Sequence, residues 1–356
     1  MLLKQDISKS PLFLVAPFFF LGTSMVVMKA VIPNTTPLFL AGFRLVPAGI
    51  LILALTLFLK LPQPKTWKAW LWIALFSLVD GALFQGFLTT GLVSTGAGLG
   101  AVLIDAQPLV VAVLARFLFG DVIGLWGWLG LAIGLAGIGL CGLPDLWLMQ
   151  IFSGKIDFLQ SGMSAFSWEG LLQSGELLML LAALSMSLGT IIIRYVKQHA
   201  DAVVATGWHM LLGGLPLFAL SALGEANQWS DLNPGGWVSL GYATLFGTAL
   251  TYGMFFYLAS VGNLTSVSSL IFLTPVFALL FSSLFLGETL TSFQWIGVGL
   301  TLISVYLVIQ RQEIASQIAK LWSRLSPQAV QMAAAEATEA ARVEGNSADA
   351  PVSTEV

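Results

Sequence analysis

The sequence predicts an all-α membrane protein of ten transmembrane helices, built as two inverted five-helix repeats. Three observations carry that expectation: the composition, an internal repeat at constant offset, and the placement of lysines and arginines. Of 356 residues, 57% are hydrophobic and only 9% are charged, against about 25% charged in an ordinary soluble domain. A fold this apolar on every side leaves too much nonpolar surface for water. Lipid is its natural solvent.

The same arithmetic removes several function classes. A net charge of −3 offers no basic surface for nucleic acid. The one cysteine, Cys141, allows no internal disulfide and no multi-cysteine metal site. Two histidines, His199 and His209, leave little for a zinc site or a histidine-based catalytic cluster. A dinucleotide fingerprint, a Walker loop and a zincin motif are all missing from the sequence. The chain reads as a non-enzyme without cofactor or metal.

Taken in order, residues 1–10 form a short leader with Lys4 and Lys9. The apolar run from Pro11 to Ala30 is about 20 residues long, enough to cross a bilayer. No small-residue cleavage site follows it, so it reads as the first membrane helix and not as a removed signal peptide. The remaining spans of the first repeat, residues 11–143, are expected at 37–59, 68–90, 97–118 and 123–143. The second repeat, 176–310, gives spans at 176–194, 202–223, 236–258, 264–286 and 292–310. Pro33-Asn34, Pro62-Gln63-Pro64, Asn233-Pro234-Gly235-Gly236 and Gly262-Asn263 mark breaks between them. Residues 144–175 make an extracytoplasmic loop whose Trp147, Phe152, Phe158 and Trp168 suit either an interfacial lid or a linker resting on the bilayer. Over 311–326, Ile314, Ile318, Leu321, Trp322 and Leu325 recur at helical spacing beside Lys320 and Arg324, the pattern of an amphipathic helix on the cytoplasmic leaflet. The Ala/Glu-rich tail, 327–356, is expected to be disordered.

The repeat is the most informative feature. Pro108 stands 13 residues before Asp121, and Pro275 stands 13 before Glu288. The offset between halves is 167 and holds without a gap. It superposes Gly22-Thr23 on Gly189-Thr190, Trp70 on Trp237, Ala82-Leu83 on Ala249-Leu250, and Gly86 on Gly253. It also superposes Trp128 on Trp295 and Gly130 on Gly297. Matched leucines are cheap in so apolar a chain; matched Gly, Pro and Trp are not.

Five spans per half is an odd number, so the second half enters the membrane in the opposite sense. The positive-inside rule tests this independently. Lys4, Lys9, Lys60, Lys65, Lys68, Arg116, Arg194, Lys197, Arg311, Lys320, Arg324 and Arg342 all fall on the side of the N-terminus, whereas Lys29 and Lys155 fall opposite and Arg44 lies within a span. Both termini are therefore expected in the cytoplasm, with the chain in a plasma membrane or bacterial inner membrane. Inverted repeats of this kind build secondary transporters with a site near midplane.

The motifs Gln107-Pro108-Leu109 through Phe119-Gly120-Asp121 and Thr274-Pro275-Val276 through Leu286-Gly287-Glu288 carry a family resemblance. So do Gly22-Thr23-Ser24, Phe43-Arg44-Leu45 and the Trp- and Gly-rich closing helices that follow Trp128 and Trp295. On these the chain resembles the EamA family of the drug/metabolite transporter superfamily over roughly residues 11–310. The resemblance implies a ten-helix carrier. It does not fix a substrate, because such scaffolds move many kinds of small molecule. Asp105 stands where the family pattern requires no acid.

Charge inside a span is expensive, about 2.5–3.5 kcal/mol per group at a helix centre on the milder insertion scale. Three such groups lie in the first half. Asp80 is near the middle of the third span, Asp105 lies ~3 Å from the middle of the fourth, and Arg44 ~6 Å from the middle of the second. At the repeat offset these positions hold Gly247, Phe272 and Leu211, so the second half builds the same helices without charge. His209 likewise has Gly42 as its counterpart.

One reading is a structural ion pair between Arg44 and one aspartate. Two acids and one base still leave a carboxyl over, and a surplus carboxyl in low dielectric can take up and release a proton as the site opens to alternate sides. The functional expectation is that Asp80 or Asp105, with Asp105 preferred, couples substrate to protons. Arg44 would then hold the other acid or a substrate carboxylate. His209 is a further candidate, set against a plain hydrogen bond to a neighbouring helix. Gln85 and its repeat equivalent Tyr252 are candidates to line a pathway, or to pack helices. Pro108 and Pro275 each remove a helix hydrogen bond and are candidate kinks.

These readings converge on a secondary active transporter, proton-coupled, exporting a small metabolite, amino acid-like compound or drug by alternating access. An uncoupled facilitator or exchanger is the first alternative, and an intramembrane lipid-modifying enzyme is the more distant one. The partners implied are a small-molecule substrate, protons and the lipid bilayer. The glycine faces of the closing helices suit intrachain packing or a homodimer equally.

Overall fold

The computed structural model describes residues 11–120, 122–143, 148–149, 174–254 and 273–325. Every regular element among them is helical. The first half contributes α1 (Pro11–Val31), α2 (Pro37–Phe58), α3 (Trp67–Ser94), α4 (Ala97–Phe119) and α5 (Gly124–Gly142). The second contributes α6 (Gly175–Val196), α7 (Ala202–Gly224), α8 (Pro234–Thr244, onward through Leu245–Leu250 and residues 251–254), α9 (Leu273–Leu286) and α10 (Ser292–Ile309). Eight helices, α1 to α7 and α10, are long and apolar enough to cross a membrane. The expected ninth span begins at residues outside the described set, as do Asp121, most of the 144–175 loop and the 327–356 tail. A separate unit contains α11 (Arg311–Leu325), the helix expected over 311–326.

Local chemistry sets where the helices start. Thr66, Ser174, Asp201 and Asn233 each stand just before a helix and accept from its free N–H groups, at Ala69, Leu177, Val203 and Gly236 respectively. α4 is interrupted at Asp105-Ala106, between Ala97–Ile104 and Gln107–Phe119. Pro108 explains the position: it has no N–H to give to the carbonyl of Ile104, four residues back. Pro275 is the third residue of the described part of α9.

Helix packing follows the repeat. Its broadest contacts join equivalent helices, α2 with α7 and α5 with α10. Other contacts come as related pairs: α1 on α9 with α6 on α4, and α1 on α8 with α6 on α3. The α5–α10 crossing shows the relation at atomic detail. A β-carbon at Gly130 would come 2.8 Å from Val308 and 3.0 Å from the Ser304 carbonyl, while one at Gly297 would come 2.7 Å from Cys141 and from the Gly137 carbonyl. Those contacts map onto one another at the offset of 167. Gly134 and Gly137 are occupied in the same way by Ser304 and Thr301, so this glycine face packs within the chain. Outward-facing Phe58, Phe117, Leu125 and Leu223 remain exposed, as lipid contact requires.

The third and eighth helices share a rarer feature. α3 widens to a π-helix over Ser77–Leu83 and α8 over Leu245–Leu250, positions related by the repeat. In α8 the hydroxyls of Thr248 and Thr251 reach five residues back, to the carbonyls of Ala243 (2.9 Å) and Phe246 (2.7 Å). In α3 the Ser77 hydroxyl reaches the Ile73 carbonyl at 2.6 Å. Wide turns of this kind recur at functional sites.

Candidate functional site

The π-helical turn of α3 projects Asp80 against α6 and α7. Gly189 on α6 makes the room: a β-carbon there would collide with the Asp80 carboxyl. The carboxyl Oδ2 lies 3.2 Å from Nε2 of His209 on α7. The imidazole is held on its other side as well, with Nδ1 2.8 Å from the Thr206 carbonyl, and it stacks on Phe76 at 4.3 Å between ring centroids. Close backbone approach between Gly81 and Gly213 allows α3 and α7 to meet here. His209 is 2% exposed and Asp80 8%, so the pair is shut off from solvent in this conformation.

One turn along α3, Gln85 accepts a hydrogen bond from Nη2 of Arg44 on α2. The other terminal nitrogen, Nη1, points to the Met28 sulfur of α1 at 2.6 Å. Arg44 is 7% exposed, and its Nε has no hydrogen-bond partner. Tyr252 of α8 packs on the cluster of Ala82 and Met210 and lies within electrostatic reach of Arg44 and Asp80. Gln85 and Tyr252, equivalent in the repeat, thus approach one arginine from the two halves.

Asp105 makes no ion pair or side-chain hydrogen bond with any of these residues. It closes the first segment of α4, and its buried Oδ2 has no hydrogen-bond partner. The following residue but one, Gln107, donates to Thr190 of α6 at 2.6 Å, which fastens the break in α4 to the second half. Neither aspartate pairs with Arg44; Asp80 pairs with His209. No cluster of three metal-ligating side chains occurs among the described residues.

The model of the EamA-like transporter family matches residues 8–143 and again 173–310, one copy per half. The chain belongs to the EamA-like transporter family. It is 54% identical over 315 residues, 88% of this chain and 94% of the relative, to an uncharacterized transporter of Synechocystis. A chloroplastic WAT1-related protein of Arabidopsis thaliana is 47% identical over 299 residues, 83% of this chain and 68% of that protein. An uncharacterized inner membrane transporter of Escherichia coli is 28% identical over 301 residues, 84% of this chain and 90% of that one. A solved crystal structure shares the fold at a TM-score of 0.55 and 16% identity, covering 84% of this chain and 98% of the other. The chain is accordingly a multi-pass membrane transporter.

In this EamA-like transporter the sequence singled out Asp80, Arg44, Gln85, His209 and Tyr252 separately, and the fold gathers them between α2, α3, α7 and α8. Met28, Phe76, Thr206 and Gly189 complete the surroundings and were not anticipated. A signal for the Asp80–His209 contact existed: each is a titratable residue whose repeat counterpart is glycine, Gly247 and Gly42. Two departures from symmetry on helices that pack together mark the two residues as partners. No comparable signal marks Met28, which is one apolar residue among many.

Proposed function

We propose that the chain is a proton-coupled secondary transporter that exports a small metabolite, amino acid-like compound or drug. Its two halves lie in opposite senses in a plasma membrane or bacterial inner membrane, with both termini cytoplasmic, and expose the site to each side in turn. The exchange of helix contacts under the repeat supports that arrangement, since two halves of like fold can trade conformations.

The observation that carries proton coupling is the hydrogen-bonding of the His209 ring. Both its nitrogens face acceptors, the Thr206 carbonyl at 2.8 Å and the Asp80 carboxyl at 3.2 Å. A neutral imidazole donates from one nitrogen only, so the contact needs one further proton, held on the ring or on the carboxyl. The pair is therefore built around an exchangeable proton. Separation of α3 from α7 as the site opens would strip the proton of its second partner and let water take it. The sequence pointed first to Asp105; the two-sided bonding of His209 favours Asp80 with His209 for the coupling role instead.

Sealed proteoliposomes holding a pH dye test the reading. With an imposed proton gradient and a small-molecule cell extract, the wild type should dissipate the gradient in an extract-dependent manner. Asp80→Asn should abolish that flux while the protein elutes and melts as a folded species. Metabolite uptake without proton flux in the wild type would establish an uncoupled facilitator or exchanger instead.

A further inference from the structure

Arg44 raises a question of charge that the Asp80–His209 pair does not answer. Arg44 is 7% exposed, among helices that cross the membrane, and no carboxylate among the described residues pairs with it. Asp80 is committed to His209, and that pair is neutral when it holds its proton. Asp105 makes no ion pair with Arg44. A buried cation without a counter-ion is among the more destabilising elements a membrane protein can contain, and the equivalent position on α7 is Leu211, so the equivalent helix forms without it.

The partners Arg44 does have are weak or neutral. Nη1 meets a thioether, a poor acceptor, and Nη2 meets the Gln85 amide oxygen. The Nε–H is buried and unsatisfied. Nε together with one terminal nitrogen forms the edge on which guanidinium takes carboxylate or phosphate through two parallel hydrogen bonds. Met28, flexible and apolar, holds the Nη1 end of the guanidinium, a place that a stronger acceptor would claim. Gln85, from the first half, holds Nη2, and Tyr252, from the second, lies within electrostatic reach of Arg44.

Resting on the transporter reading above, we propose that Arg44 is the receptor for the substrate's anionic head. The substrate is a small organic oxyanion, a carboxylate or a phosphate ester, that displaces Met28 from the guanidinium and supplies its missing counter-charge. Arg44 and the Asp80–His209 pair then divide the work. One binds the anion, and the other carries the proton.

The test loads proteoliposomes from a cell extract split by anion exchange at neutral pH into retained and unretained fractions. Mass spectrometry of the vesicle contents reads uptake independently of any proton flux. Wild-type protein should accumulate compounds from the retained fraction. Arg44→Lys keeps the charge but loses the two-pronged edge and should lower that uptake about tenfold. Arg44→Gln should abolish it, with elution profile and melting temperature checking the fold of both variants. Treating the retained fraction with alkaline phosphatase separates the two sources, since transport of a phosphate ester is lost and transport of a carboxylate survives. Accumulation from the unretained fraction alone, or uptake unchanged in folded Arg44→Lys, overturns the anionic head and leaves transport standing. No accumulation from either fraction overturns the transporter reading, and this inference with it.

Discussion

The π-helical turns of α3 and α8 have the same backbone and opposite chemistry. Ser77–Leu83 and Leu245–Leu250 occupy equivalent positions, and each lies against the first helix of the other half, α6 or α1. In α8 the residue at the centre is Gly247, where a β-carbon would collide with Ser24, and threonine hydroxyls satisfy the widened turn. In α3 it is Asp80, with Gly189 cleared to receive it and His209 to pair with it. Backbone widening is thus a property of the duplicated fold, not a consequence of the charge. The charge stands on a turn that forms without it, and the two halves differ there in chemistry, not in backbone.

Exchanging the chemistry of the two turns is the most severe way to break this comparison. Gly247→Asp puts a carboxyl against Ser24 with no histidine opposite, and should destabilise the protein by about 3 kcal/mol or more, seen as loss of folded material and a lower melting temperature. If Gly247→Asp is tolerated, the second turn is as receptive to charge as the first, and the asymmetry between the turns fails.

A double-mutant cycle sharpens it. Asp80→Ala leaves His209 with a buried, unpaired nitrogen and should lower stability by roughly 3 kcal/mol. Adding His209→Phe, which keeps the stack on Phe76, should restore more than half of that loss because no polar group is then stranded. Stability that recovers while proton-coupled flux stays absent would separate the pair's function from its contribution to the fold. Strictly additive losses would mean that the two residues act independently.

The smallest effect concerns the turn without charge. Thr248→Val removes one hydroxyl bridge across the α8 widening and should lower stability by about 1 kcal/mol, with flux retained. A loss of flux at unchanged stability would make the α8 turn an active partner and not a plain copy.

A contact outside the site shows what pattern-reading could not reach. Glu288 was visible only as the end of a repeated motif. In the structure its carboxylate accepts from Ala97 N at 2.9 Å and Gly98 N at 3.3 Å, so the end of α9 caps the start of α4. Glu225, after α7, does the same for Leu38 at 2.9 Å and Phe39 at 3.2 Å at the start of α2. Lys29 donates to the Leu92 and Val93 carbonyls at the end of α3. These links span from 63 to 191 residues of sequence, and periodicity carries no information about them.

By itself the sequence determined the membrane solvent, the helical class, the two related halves and the short roster of charges without repeat counterparts. These follow from composition and from matches at a fixed offset, both properties of the chain read in one dimension. Only the tertiary structure decided the partnerships. Arg44 and the aspartates looked like mutual counter-ions on grounds of charge and depth, yet helix rotation sends Asp80 to His209 and Arg44 to Gln85 and Met28. Depth along a helix is legible from residue number at ~1.5 Å per residue. The direction a side chain faces depends on how α2, α3 and α7 cross, and that is set by close approaches such as Gly81 on Gly213 and Gly189 on Asp80.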